Sequence, residues 1–329
     1  MAKKARRTGV TPKDECYSPL EPSESFKGQI PRIVEAIVES CREEGTIDHV
    51  DGASIPYLES VIELIMNLRD LLFPGYFDNQ EIDRDSLSYH IGSEVNLIFE
   101  KLSNQIAKAI RHECLRTEIV CSHCLERGQA EAICFLRKIP RLRKLLAGDV
   151  RAAYDGDPAA RSLDDIVFSY PAIMAITTHR VAHELFIRSI PLLPRMMTEY
   201  AHNVTGIDIH PGATIGEHFF IDHGTGVVIG ETTEIGNNVR IYQGVTLGAH
   251  SFLKDPNGSL RRGYKRHPTI EDDVIIYSGA TILGGETVIG AGSIIGGNVW
   301  LTHSVPPGSH VVIEEPQLRI MRPEEEDGH

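Results

Sequence analysis

Three short motifs in the second half of this chain combine carboxylate, imidazole and guanidinium side chains. They are Asp208-Ile-His-Pro, Asp222-His223-Gly-Thr-Gly and Arg266-His267-Pro. A carboxylate that accepts a hydrogen bond from one imidazole nitrogen fixes the tautomer of the ring and leaves the other nitrogen as a base. We therefore predict that Asp208 and His223 act together to take a proton from a hydroxyl group.

Each of these residues also has a purely structural interpretation. Asp and His side chains commonly satisfy backbone hydrogen bonds in glycine-rich turns. Arg266 and His267 offer donors suited to a carboxylate, but with Lys265 they also fit a solvated loop edge. Asp157, which precedes Pro158, fits the N-cap of a helix. The motifs alone leave these alternatives open.

The motifs lie in a stretch, 207–307, where aliphatic residues recur about every six positions. They fall at Ile209, Ile215, Ile221, Ile229, Ile235, Ile241, Leu247, Ile270, Ile276, Ile282, Ile289, Ile295 and Leu301. Such a repeat fits a strand followed by a turn, and stacked coils of these units bury a column of aliphatic side chains. The pattern predicts a parallel β-helix solenoid.

Two interruptions of the repeat carry the chemical motifs. The first lies around 222–226 and contains His223, and the second is a polar run, 250–267, that ends in Arg266-His267. Loops that leave a rigid scaffold commonly carry function. We therefore expect both interruptions to contribute to a site.

The remainder of the chain has helical patterns, so we predict an α+β protein with an all-α N-terminal domain before the β-helix. The predicted segments are a flexible tail 1–29, an α-helical domain 30–205, the β-helix 206–307 and an acidic tail 308–329. Predicted helices include 55–73, 93–124 and 129–146, one that opens at Asp157-Pro158 and one that begins at Pro171.

The composition excludes several classes of protein. A net charge of −13 over 329 residues argues against a nucleic-acid partner. No apolar run is long enough for a membrane span, and no secretory signal is evident. The spacing of the six cysteines does not suggest a disulfide framework, so a reduced, cytoplasmic setting is expected. Cys114, Cys121 and Cys124 could bind a metal, but a single Cys-x-x-Cys pair is weak evidence. We expect buried side chains on one helix and no metal.

Across 157–307 the sequence resembles the serine O-acetyltransferases, which are hexapeptide-repeat acyltransferases with a left-handed parallel β-helix. The residues that carry the resemblance are Asp157-Pro-Ala, Asp208-Ile-His-Pro, Asp222-His-Gly-Thr-Gly, Val228-Ile-Gly-Glu-Thr, Val245-Thr-Leu-Gly and Arg266-His-Pro. The resemblance implies transfer of acetyl from acetyl-CoA to the hydroxyl of L-serine, which gives O-acetyl-L-serine for cysteine biosynthesis.

The family's residue roles fall on matching positions of this chain. His223 is similar to the general base and Asp208 to the carboxylate that orients it. The resemblance implies that Asp157 and Asp222 bind the amino group of serine, while Arg266 and His267 bind its carboxylate. The positions implied for CoA, in a groove between neighbouring solenoids, are Gly248, Ala249, Ser278 and Gly297.

The resemblance also implies partners. Solenoids of the family form trimers, often paired into hexamers, and L-cysteine commonly inhibits at the serine site. Family members that bind O-acetylserine sulfhydrylase often end in isoleucine, whereas this sequence ends Gly328-His329, so that complex is expected to be weak or absent. The loop 250–266 is longer than usual for the family and carries Lys254, Arg261, Arg262 and Lys265, so it is expected to reshape the CoA entrance.

Three other functions remain open at this stage. The same fold acetylates other hydroxyls, such as homoserine or a sugar. A zinc carbonic anhydrase of the solenoid type would need three converging histidines, for which His210, His218, His223 and His267 are available. A non-catalytic scaffold would keep the solenoid only for assembly.

Overall fold

The computed structural model describes residues 26–42, 47–50, 52, 55–77, 81–118 and 122–314. Most of the predicted terminal tails, 1–25 and 315–329, and Cys121 lie outside these residues. None of the helices in the described part of the chain is long and apolar enough to cross a membrane.

Eight α-helices precede the first strand among the described residues. They are α1 (Ile30–Ser40), α2 (Leu58–Leu72), α3 (Leu87–Arg116), α4 (Cys124–Leu136), α5 (Ile139–Gly156), α6 (Leu163–Ser169), α7 (Pro171–Phe186) and α8 (Leu193–Thr205). Helix α1 belongs to an N-terminal unit, Met1–Gly52, and carries the apolar residues Ile33, Val34, Ile37 and Val38. The other seven helices belong to a second unit, Ala53–His329.

Fourteen short strands follow within the described part of the second unit. They are β1 (Asp208–Ile209), β2 (Thr214–Ile215), β3 (Phe220–Asp222), β4 (Val228–Ile229), β5 (Glu234–Ile235), β6 (Arg240–Tyr242), β7 (Thr246–Gly248), β8 (Thr269–Ile270), β9 (Ile275–Ile276), β10 (Thr281–Leu283), β11 (Val288–Ile289), β12 (Ile294–Ile295), β13 (Trp300–Leu301) and β14 (His310–Val311).

The strands form three parallel sheets, and this arrangement confirms the predicted left-handed β-helix. Sheet A is β1-β4-β7-β10-β13, sheet B is β2-β5-β8-β11, and sheet C is β3-β6-β9-β12-β14. From β1 to β13 successive strands visit sheets A, B and C in turn, and β14 then adds to sheet C, which makes about five coils. We call the turns from sheet A to sheet B the A–B corner, and the turns from sheet C to sheet A the C–A corner.

The register places the repeated aliphatic residues in columns inside the solenoid. In sheet A the column is Ile209, Ile229, Leu247, Ile282 and Leu301. All five are at most 4% exposed. Burial of each such side chain contributes about 1.5–3 kcal/mol, so the columns are the main source of the solenoid's stability. The strand His310–Val311 pairs with β12, so sheet C continues beyond Pro307.

A buried ion pair joins two helices to the first coil of the solenoid. Arg180 of α7 donates from Nε and Nη2 to the two carboxylate oxygens of Asp149 on α5, at 2.6 and 2.8 Å. Asp149 also accepts from the backbone N–H of Phe219 at 3.0 Å, and Arg180 donates to the carbonyls of Ile215 and Gly216. Both side chains are at most 5% exposed, so these contacts replace water in the compensation of their charges.

Several helix boundaries differ from the prediction, and the predicted helix 129–146 is divided between α4 and α5. Helix α5 runs on to Gly156, and Asp157 follows it in an extended conformation, so Asp157 is not an N-cap. Instead, Ser162 caps α6 by accepting from the N–H of Asp165. An Asp-Pro pair is also typical of the turn after a helix, because proline disfavours helical geometry in the residue before it.

The prediction of one long helix over 93–124 is also wrong. Helix α3 ends at Arg116 and α4 begins at Cys124, so Cys114 and Cys124 lie on different helices. Cys124 is 8% exposed and packs in the hydrophobic core.

Replacement of Asp149 by alanine should destabilise the fold by about 3–5 kcal/mol, because it leaves the guanidinium of Arg180 buried without its counter-charge. Replacement of Glu113, whose ion pair with Arg116 lies on the surface of α3, should cost less than about 1 kcal/mol. Urea unfolding of both variants measures the difference. Equal losses would contradict the proposed importance of the buried pair.

Candidate active site

The predicted site residues fall into two groups at different corners of the solenoid. Asp222 ends β3 and His223 follows it, so both lie at the C–A corner. Arg266 and His267 lie just before β8, at the A–B corner. Asp157 comes from the helical part of the chain, directly after α5, and joins the first group.

The C–A group lines a cavity of about 210 Å³. Asp157, Asp222 and His223 face it together with the segment that joins α6 to α7, which includes Tyr170. Two carboxylates and one imidazole therefore meet in a space of the size of a small molecule. We call this space the acidic cavity.

Asp157 is held in this cavity by a short hydrogen bond. The hydroxyl of Tyr170 donates to Asp157 Oδ2 at 2.5 Å, and the N–H of Ala159 donates to Oδ1 at 2.8 Å. These bonds, Tyr170 first, lower the pKa of Asp157, and the nearby His223 and Arg240 lower it further. Burial and the contact with Asp157 raise the pKa of Tyr170. Asp157 is therefore ionised at neutral pH, and Tyr170 keeps its proton.

His223 has a left-handed backbone conformation and an exposed ring. Its φ is +57°, and Gly224 follows with φ +89°. Other turns of the solenoid have the same conformation at His218, Asn238, Asp273 and Asn298, so it belongs to the geometry of the coils. The side chain is 72% exposed, and Nδ1 lies 3.7 Å from Oδ1 of Asp222. The turn thus presents the imidazole to the solvent at the mouth of the acidic cavity.

Asp208 lies at the same corner as His223, on the neighbouring coil. The N–H of Gly226 donates to the carbonyl of Gly206 at 2.8 Å, which stacks the two turns. The carboxylate of Asp208 lies within 4.8 Å of ligand atoms of Glu199 and His202 on α8. Among the hydrogen bonds of the described residues there is none between Asp208 and His223, so the orienting role of Asp208 stays a prediction.

The A–B group is organised by Thr232. The hydroxyl oxygen of Thr232 accepts from the backbone N–H groups of Arg266 and His267 at 2.9 and 3.1 Å. The side chain of Arg266 donates to Glu231. Although burial opposes ionisation of Glu231, Arg266 lowers its pKa. We call Glu231, Thr232, Arg266 and His267 the basic cluster.

The hydrogen bonds of His267 define its tautomer. The N–H of Thr232 donates to Nδ1 of His267 at 3.1 Å, so the neutral ring carries its proton on Nε2. Burial and the adjacent Arg266 lower the pKa of His267 to about 4. A Cβ at Gly230 would lie 2.0 Å from the ring, so only glycine leaves room for it. At neutral pH His267 is therefore an uncharged donor beside a cation.

The positions expected to contact CoA show the same division between corners. Gly248 ends β7, and Ala249 follows it at the A–B corner. Ser278 and Gly297 lie at the C–A corner on successive coils, where a Cβ on Gly297 would lie 3.3 Å from the carbonyl oxygen of Ser278. The structure thus places two of these positions at each corner, and their contact with CoA stays a prediction.

Four residues that form contacts in these clusters were not predicted from the sequence to take part in the site. Tyr170 and Arg240 surround Asp157, since Arg240 donates from Nη1 to the carbonyl of Gly156 at 3.1 Å. Glu231 and Thr232 belong to a motif of the sequence, Val228 to Thr232, but nothing in that motif shows that they hold Arg266 and His267.

Substitution of His267 by glutamine should reduce the loss of stability at acidic pH. The native pKa of about 4 lies below the ordinary 6.5, so the unfolded chain binds the proton first and stability falls as the pH drops from 6.5 to 4. His267 should account for about 1–2 kcal/mol of that loss, after allowance for solvent screening. Urea unfolding of both proteins across this range tests the effect. Parallel curves for the variant and the unmodified chain would exclude it.

Several known proteins that resemble this chain belong to one family. No family model matches the chain. The protein named "Serine acetyltransferase, plasmid" from Synechococcus elongatus is 50% identical over 272 residues, which are 80% of this chain and 83% of that protein. The serine acetyltransferase of Bacillus subtilis is 49% identical over 169 residues, or 51% of this chain and 73% of that protein.

Solved structures agree with this relationship. Serine acetyltransferase isoform 3 of Entamoeba histolytica, in complex with cysteine, has a TM-score of 0.66 and 34% identity over 91% of this chain and 96% of that one. Serine acetyltransferase 1 of the same organism, with L-cysteine, has a TM-score of 0.66 and 34% identity over 87% of this chain and all of that one. The helical part and the solenoid are covered together, and the chain belongs to the serine acetyltransferase family.

Proposed function

We propose that this chain transfers the acetyl group of acetyl-CoA to the hydroxyl of L-serine, with His223 as the general base. The observation that carries the proposal is the convergence of His223 with Asp157 and Asp222 on the acidic cavity. A base must lie beside the hydroxyl that it deprotonates, and the amino group of the same molecule needs an anionic partner. This cavity supplies both.

The carboxylate of serine would bind the basic cluster of a neighbouring chain. Arg266 and His267 lie at the A–B corner, and neither lines the acidic cavity among the described residues. Two solenoids packed side by side, with the C–A corner of one against the A–B corner of the next, would complete the site. This arrangement supports an assembly of trimers or paired trimers, as the family resemblance implies.

In the proposed reaction His223 accepts the hydroxyl proton while the serine oxygen attacks the thioester carbonyl. The carbon–sulfur bond then breaks, and the departing thiolate of CoA takes the proton from His223. Asp222, at 3.7 Å, is placed to stabilise the imidazolium, and we propose that Asp208 shares this role. A backbone N–H would stabilise the developing oxyanion.

L-Cysteine would compete with serine at this site. It has the same amino and carboxylate groups, and two Entamoeba structures of the family contain it. With a thiol in place of the hydroxyl it would occupy the acidic cavity and the basic cluster together. We further propose that the enzyme acts in the cytoplasm, in the biosynthesis of cysteine.

Release of free CoA should depend on both L-serine and His223. We expect the His223→Ala variant to lose at least about a hundredfold in kcat, because general-base catalysis contributes that much or more. A thiol-release assay with L-serine, L-homoserine and a galactoside measures this. His123→Ala, at an exposed histidine before α4, is the matched control and should retain full activity.

The panel of acceptors separates the alternatives. Release with homoserine or the galactoside in place of serine would contradict the proposed substrate but retain the chemistry. A folded protein with no release for any acceptor would contradict the enzymatic proposal.

Tyr170→Phe should raise KM for L-serine about tenfold with little change in kcat, because it removes one hydrogen bond to the ionised Asp157. Since Tyr170 lowers the pKa of Asp157, its loss should also move the acidic limb of kcat/KM to higher pH. Tyr76→Phe is the matched control, because it removes a comparable bond to Asp164 outside the acidic cavity. Identical kinetics of the two variants would show that Tyr170 does not position Asp157.

A further inference from the structure

The long loop after β7 forms a β-hairpin at the A–B corner. Lys254 and Leu260 form an antiparallel bridge, and the N–H of Arg261 donates to the carbonyl of Leu253 at 2.9 Å. The turn is closed by the N–H of Gly258, which donates to the carbonyl of Asp255 at 2.8 Å. Gly258 has a φ of +81°, which suits glycine at the end of such a turn. The loop is thus a folded element.

The base of this hairpin is attached to the solenoid on two sides. The hydroxyl of Tyr264 accepts from the N–H of Leu253 at 3.0 Å, which ties the two arms together. Lys265 donates from Nζ to the carbonyl of Thr232 and to Glu234, at 2.7 and 3.1 Å. A Cβ on Gly285 would lie 2.5 Å from the carbonyl oxygen of Lys265, so the next coil also packs closely against the base.

Three cations of the hairpin have no side-chain partner among the described residues. Lys265 and Arg266 at its base pair with Glu234 and Glu231. In contrast, the side chains of Lys254, Arg261 and Arg262 form neither a hydrogen bond nor an ion pair within the described part of the chain. In a chain with a net charge of −13, this local excess of positive charge is available for an anionic ligand.

Two of these cations share a face of the hairpin with apolar side chains. Residues directly opposite each other in an antiparallel pair point to the same side, and the side alternates along the strand. Lys254 is opposite Leu260. Extension of this register by two residues along each arm would place Phe252 opposite Arg262, on the same face. Phe252 is 63% exposed and Leu260 is 55% exposed. This face presents an aromatic ring between two unpaired cations.

We propose that this hairpin face binds the 3′-phosphorylated adenosine diphosphate end of acetyl-CoA. Phe252 and Leu260 would contact the adenine, while Lys254 and Arg262 would bind phosphate groups. The hairpin begins directly after Gly248 and Ala249, two of the positions expected to contact CoA. This inference rests on the proposed use of acetyl-CoA and adds the residues that recognise its nucleotide.

The ligand chemistry follows from the pairing of charges. The charge of Arg266 in the basic cluster is already compensated by Glu231, which suits a small zwitterion with a single carboxylate. The uncompensated cations of the hairpin suit the higher charge of several phosphates. The planar ring beside them favours a nucleotide over an inorganic anion or an acidic peptide.

The test removes Lys254 and Arg262 together in the variant K254A/R262A and compares binding of CoA, 3′-dephospho-CoA and pantetheine by calorimetry. The unmodified chain should bind CoA about tenfold more tightly than 3′-dephospho-CoA, because the 3′-phosphate forms charge-assisted hydrogen bonds. The variant should bind the two with nearly equal affinity, and pantetheine binding should not change. KM for acetyl-CoA should rise in parallel, with kcat retained.

A control variant, R127A/R141A, removes two exposed arginines from α4 and α5 and gives the same change in net charge. It should discriminate between CoA and 3′-dephospho-CoA as the unmodified chain does. Added salt should weaken CoA binding more steeply in the unmodified chain than in K254A/R262A, because the contacts are exposed. Phe252→Ala should weaken binding of both nucleotides and leave their ratio unchanged.

The outcomes separate this inference from the proposed function. If K254A/R262A still prefers CoA as the unmodified chain does, the hairpin does not bind the 3′-phosphate, even where L-serine is acetylated. If the unmodified chain binds CoA through the hairpin but does not acetylate L-serine, the inference stands and the proposed reaction is wrong.

Discussion

The ion pair between Asp149 and Arg180 fixes the helical part of the second unit to the solenoid, and the site depends on that junction. Asp149 lies about two turns before the end of α5, and Asp157 follows directly after that end. The same carboxylate binds the backbone of Phe219, just before the strand that ends in Asp222. The pair therefore sets the distance between the two carboxylates of the acidic cavity. Because both charges are buried, a shift of one element against the other would leave an uncompensated charge.

The solenoid imposes a second constraint, which is the separation of opposite charges. Its triangular coils place residues at three corners, and stacking aligns each corner from coil to coil. Asp222 and His223 occupy one corner, and Arg266 and His267 occupy another. If these groups met within one chain, Asp222 and Arg266 would form an ion pair and occupy the space that a zwitterionic substrate needs. The corners keep them apart, and each cluster retains its charge for a ligand.

The period of about six residues was sufficient to predict the solenoid and its buried columns, because one aliphatic residue per strand specifies the inner face. Helix boundaries were harder to predict, because Asp157-Pro158 is compatible with a helix start and with the turn after a helix. The site could be predicted only as a list of residue types. The bond from Tyr170 to Asp157 crosses a complete helix, and the bonds from Thr232 to His267 connect neighbouring coils. Such contacts are created by folding and have no local sequence signal.

The two cationic regions of the A–B corner differ in a way that bears on specificity. Arg266 is balanced by Glu231, and His267 is kept neutral by burial, so the basic cluster has little net charge despite its residue types. The guanidinium of Arg266 still has N–H groups beyond the one that contacts Glu231. Arg266 can therefore orient a carboxylate without a strong general attraction for anions. The hairpin provides the opposite case, with cations that no acidic side chain of the described chain compensates. The compensated charge of the basic cluster suits a small amino acid, and the uncompensated charge of the hairpin suits a polyphosphate. The two ligands would therefore bind different parts of one corner, although both regions are basic in sequence.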